Sequence, residues 1–65
     1  MSDFLVRDEG SIYLLTPKTP AAVEWVRANL PEDRLRWAGA TIIEHRYVSD
    51  VITGIGQAGL QVELA

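Results

Sequence analysis

The sequence predicts an α+β domain of order ββαβαβ, a four-stranded mixed sheet with two helices packed on one face. Three observations predict it. Two short β-prone runs, Phe4-Leu5-Val6-Arg7 and Ile12-Tyr13-Leu14-Leu15-Thr16, flank a turn-forming stretch. A helical apolar stripe between Pro20 and Leu30 is bounded by prolines. A β-branched run, a second helical stripe and an alternating tail then follow in turn.

The first two strands read as a hairpin. Asp8-Glu9-Gly10-Ser11 carries turn chemistry, and Gly10 is free to take a positive φ. The second strand ends at Pro17, which has no backbone donor. Thr19 before Pro20 reads as an N-cap with proline at the first helical position. Ala22, Val23, Val26 and Leu30 share one face of the first helix, with Trp25 at its edge and Glu24 and Arg27 opposite. Pro31 ends this helix by pushing Leu30 out of the α region.

Glu32-Asp33-Arg34 is a polar connection, and Leu35-Arg36-Trp37 a short extended piece before a bend or bulge at Ala38-Gly39. Ala40-Thr41-Ile42-Ile43-Glu44 is the third main strand. The second helix runs from about Arg46 or Tyr47 to Ala58, with Tyr47, Val48, Val51, Ile55 and Ala58 on one face and Ile52 at the border. Gly59 stands where a helix commonly closes with a left-handed residue, and Leu60-Gln61-Val62-Glu63-Leu64 alternates as a half-buried last strand.

The chain has 65 residues, one domain's worth. At that length folding buries only about 60% of the unfolded surface, and apolar burial barely exceeds chain entropy. There is no cysteine and one histidine, so disulfides and thiolate metal sites are excluded and no metal or other cofactor is expected. Association is the remaining source of stability, which points to a homodimer or another protein partner. The net charge of −3 argues against broad binding to nucleic acid or anionic lipid. No apolar run reaches the ~20 residues that span a bilayer, and Met1-Ser2-Asp3-Phe4 lacks the features of a signal peptide. No membrane association is expected, and a cytoplasmic location is.

Successive strand–helix–strand units imply right-handed crossovers, so both helices cover one face and leave the other partly apolar. That face carries either Tyr13 and Leu15 or the alternate set, Ile12 and Leu14. A bare apolar face in so small a domain suggests a partner. Tyr13, Leu15, Trp25 and Trp37 are the candidate interaction residues. Both tryptophans also read as core, and Trp25 equally as a binding anchor.

Gly54, Gly56 and Gly59 spell G-x-G-x-x-G. A dinucleotide loop follows a strand and opens a helix. Here the string closes a helix, whose C-terminal dipole disfavours phosphate. Gly59 therefore reads as a C-cap and Gly54 as a point of close packing, while Gly56 has no role that the sequence identifies. Glu44, His45, Arg46 and Asp50 form the candidate polar cluster, at the strand end where open α/β sheets bind ligands. His45 suits acid–base chemistry, but Glu44 and His45 point to opposite faces of a strand and no nucleophile or metal set accompanies them. Arg34, Arg36, Trp37 and Arg46 make a candidate nucleic-acid patch, interleaved with Glu32, Asp33 and Glu44.

The pattern Ser11-Ile12-Tyr13-Leu14-Leu15, Thr19-Pro20-Ala21-Ala22, Trp25-Val26, Leu30-Pro31 and Glu44-His45-Arg46-Tyr47 resembles small uncharacterised bacterial open reading frames, some near phage or plasmid genes. The resemblance covers most of the chain and implies no activity. The expectation is thus a non-enzymatic protein-interaction or accessory module that forms a homodimer. The alternatives are a nucleic-acid-associated accessory protein using the arginine–tryptophan patch, and a small-ligand binder or enzyme centred on His45.

Overall fold

The computed structural model describes residues 2–65. The chain is α+β, with two helices and one five-stranded mixed sheet. Strands β1 (Phe4–Asp8) and β2 (Ile12–Pro17) precede helix α1 (Pro20–Asn29). Strands β3 (Arg36–Trp37) and β4 (Ala40–Glu44) precede helix α2 (His45–Gln57), and β5 (Val62–Leu64) follows. The sheet order is β3-β4-β2-β1-β5.

The fifth strand corrects the expected four. Ala38 and Gly39 both have positive φ, 52° and 83°. Trp37 pairs with Ala40 across them, so they form a two-residue hairpin turn of the primed type rather than a bulge. This extra pass of the chain reverses the direction of β4. Antiparallel pairing of β2 with β4 and of β4 with β3 makes β2 and β3 parallel. α1 therefore crosses from β2 to β3, and α2 crosses from β4 over two strands to β5, which lies parallel to β1.

Local chemistry fixes each end. In the first hairpin Gly10 takes φ 94°. Asp8 Oδ1 accepts from the Gly10 amide at 2.8 Å, and the Glu9 amide donates to the Ile12 carbonyl. Thr19 caps α1, its Oγ1 accepting from the Ala22 amide at 3.1 Å. Leu30 is extended (φ −108°, ψ 150°), as a residue before proline must be. At the end of α2 the Leu60 amide donates to the Ile55 carbonyl and the Gly59 amide to the Gly56 carbonyl, with Gly59 at φ 79°. This is the paired C-terminal closure expected of a glycine at that position.

The core lies between the helices and one sheet face. Phe4, Val6, Leu15 and Ile43 from the strands meet Ala22 and Val26 of α1 and Ile55 of α2. The other face has no helix. Cross-strand partners share a face, so the register puts Leu5, Ile12, Leu14, Ala40, Ile42 and Trp37 on the bare side. Tyr13 and Leu15, named above as interaction candidates, face the helices instead, and Leu15 is 1% exposed. The correction is one of phase. Ile12-Tyr13-Leu14-Leu15 is apolar on both faces, so alternation inside β2 does not choose between them.

Candidate functional site

Three surfaces gather chemically distinctive side chains. The first is the bare sheet face. Residues Ile12, Leu14, Ile42 and Trp37, with Glu9 and Ser11, line a shallow cleft of about 380 Å³ there. Trp37 reaches this face because it alternates with Arg36, which lies on the helix side with Thr41. Trp37 is 63% exposed, beside a Leu14 that is buried. Arg7, Glu44 and Glu63 share the face through their pairing with Leu14, Ile12 and Leu5.

The second surface holds His45. It opens α2 and stacks on Tyr13, ring centroids 4.6 Å apart at 43°. Its Nε2 lies 3.8 Å from Asp8 Oδ1, too far for a hydrogen bond. Asp8 Oδ1 already accepts from Gly10. The predicted polar cluster therefore divides. His45 joins Asp8 and Tyr13 from the first hairpin, a pairing that only the β1–β2–β4 register creates. Glu44 turns to Arg46 at 3.6 Å, and Arg46 lies 5.0 Å from the centroid of the Tyr47 ring. Asp50 belongs to a different hollow, described next.

The third surface is a groove of about 520 Å³ between the 30–35 loop, β4 and the first turns of α2. Its lining is mainly apolar, and Asp33, Glu44 and Asp50 border it together with Arg34. Arg34 Nη1 donates to the Pro31 carbonyl at 2.9 Å, and its Nε to the buried Thr41 Oγ1 at 3.3 Å. Among the described residues no group of three His, Asp or Glu side chains is placed to hold a metal ion. Sequence reading missed this groove because Leu30, Leu35 and Tyr47 converge only after β3 has turned back along β4.

The arginine–tryptophan patch does not assemble on one face. Trp37 is on the bare side, whereas Arg34 and Arg36 line a hollow against α1 with Arg27, Glu24 and Glu32. Arg36 donates to the Glu32 carbonyl at 3.2 Å, and Arg27 pairs with Glu24 at the same distance. Arg46 lies at the start of α2. Trp25 is half-buried within the chain, edge-on to Phe4 at 5.8 Å and 83°.

Comparison with protein-family models, with curated proteins and with solved structures gives no match to this chain. No helix among the described residues is long and apolar enough to cross a membrane.

Proposed function

We propose that this chain is a protein-interaction module that pairs with a second copy of itself through the bare sheet face. The carrying observation is the apolar strip there, in which Leu5, Ile12, Leu14 and Ile42 lie beside the largely exposed Trp37. Two such faces pack about 10 Å apart in sheet-on-sheet contacts. A two-fold arrangement sets the same patch against itself, and the rim carries both signs, Arg7 with Glu44 and Glu63, so it suits self-pairing. A standard interface covers about 800 Å² per partner, a large share of the 4463 Å² this chain exposes. Removing the apolar part of that surface from water adds to the thin core of so short a chain.

Sedimentation equilibrium at micromolar concentration tests the reading. The expected mass is near twice the 7.2 kDa of one chain. Trp37→Lys introduces a charge at the β3 edge of the face and changes an exposed position of the fold. It should give a folded monomer. A wild-type protein that stays monomeric under these conditions removes the proposal.

A further inference from the structure

The groove between the 30–35 loop and α2 adjoins the bare face, sharing Ile42 and Glu44 with it, but its other walls are different elements and it calls for a different partner. Three features define what it would take. Its lining is apolar, with Leu30, Pro31, Ile43 and Val51 inside and Leu35 and Tyr47, 70% and 49% exposed, at its mouth. Three carboxylates border it, and neither Asp33 nor Asp50 has an ion-pair partner among the described residues. Finally, β3 runs beside only the first half of β4. Pairing covers Arg36 with Thr41 and Trp37 with Ala40, and the Ile42 amide donates to the Leu35 carbonyl at 2.9 Å. Beyond Ile42 the last two residues of β4, Ile43 and Glu44, have no strand on their outer side before α2 begins at His45. Such an edge accepts an extended chain by main-chain hydrogen bonding, with alternate side chains entering pockets.

We propose that this groove binds a short extended peptide in which aliphatic residues alternate with arginine or lysine, supplied by another protein. The aliphatic side chains fill the apolar lining and the cations meet Asp33 and Asp50, since Glu44 is paired with Arg46. Cationic side chains would match the negative charge of Asp33 and Asp50, which no ion pair among the described residues compensates. Arg34, the basic residue on the lining, is turned to the Pro31 carbonyl and to Thr41 and does not neutralise them. This chain's own basic–aliphatic run, residues 34–37, forms the wall of the groove and β3, so the occupant is not a second copy.

Amide chemical shifts of the ¹⁵N-labelled protein, titrated with acetyl-Arg-Leu-Arg-Leu-Arg-amide, test this. The expected result is saturable shifts at Ile43, Tyr47, Asp50 and Val51, with Kd on the order of 1 mM or tighter. A double variant, Asp33→Asn with Asp50→Asn, changes two exposed positions and should keep a dispersed amide spectrum. Its affinity should fall roughly threefold or more, with the larger loss at low ionic strength. Any of three results overturns the proposal: no saturable shifts with the basic peptide, equal binding of acetyl-Glu-Leu-Glu-Leu-Glu-amide, or undiminished binding by the double variant. Shifts centred on Ile12 and Trp37 would also overturn it and assign the peptide to the bare face.

Discussion

Ala38 is the one residue other than glycine, among those described, with a left-handed backbone, φ 52°. An alanine Cβ in that region crowds the following carbonyl at a cost of roughly 1–2 kcal/mol. The turn tolerates it because Trp37 and Ala40 close on either side. Asparagine before glycine is the preferred pair for this turn. Ala38→Asn should therefore raise stability by about 1 kcal/mol, seen as a higher urea midpoint with unchanged slope. Asp3 is a second residue whose surroundings have a measurable consequence. Its Oδ2 accepts from the Gln61 amide at 3.0 Å and its Oδ1 from the Thr19 hydroxyl at 2.8 Å. The Gln61 amide first, then Thr19, holds its pKa below the ordinary 3.8. A depressed carboxyl stabilises the fold fully above that ordinary value and loses the contribution as pH falls through the folded pKa. Asp3→Asn should therefore melt below wild type near pH 7, with the gap closing below about pH 4. A gap that stays constant with pH would show that the charge is not what matters. Neither residue was legible in the sequence. Ala-Gly is a weak turn signal, and Asp3 acquires its partners only when residues 19 and 61 arrive beside it.

At the scale of elements, both helices end where the sequence says they end. Thr19-Pro20, Leu30-Pro31 and Gly59 act through their own backbones, so their effect is local and readable. The glycines inside α2 divide by surroundings. A Cβ on Gly54 would meet Trp25 Cζ2 at 3.2 Å, whereas one on Gly56 meets nothing within 4 Å. Helix propensity favours alanine at both by about 1 kcal/mol. Gly56→Ala should realise most of that gain, and Gly54→Ala should lose it because the Trp25 ring must move. Equal gains in thermal unfolding would mean that Gly54 has no packing role. The apolar stripe of α1 is turned from its expected centre. Ala22 and Val26 are buried and Trp25 packs inward, while Val23 stays exposed. A helical wheel gives the width of such a stripe, and the neighbouring helix decides its centre.

For the whole molecule, the sheet's phase was the least legible property. In β1 the charge that marks it is Arg7, since Asp8 at the strand end falls on the other face. Arg7 shares a face with Leu5, and the hairpin register carries that face to Leu14 and then to Ile42. Reading it required the loop length, since Asp8 pairs with Tyr13 across it. The candidate surfaces inherit this dependence. His45 finds Asp8 through strand pairings more than 20 residues apart in sequence, while the groove gains its wall from the local β3–β4 hairpin. The self-pairing proposed for the bare face belongs to this scale too. Reducing Ile12 to alanine should weaken association more than folding, measured as a larger shift in the dimer's concentration midpoint than in the monomer's unfolding midpoint.

The parallel β1–β5 ladder also has a mechanical consequence. Phe4 is paired with Val62 and Val6 with Leu64, and hydrogen bonds donated by the Phe4 amide to the Gln61 carbonyl and by the Ala65 amide to the Val6 carbonyl tie the two strands. Tension applied ahead of Phe4 and beyond Leu64 would pull at opposite ends of that ladder. The load would then act along the strands in shear, and the cross-strand bonds would have to yield together. The β3–β4 hairpin, peeled from its free edge, would open one bond at a time.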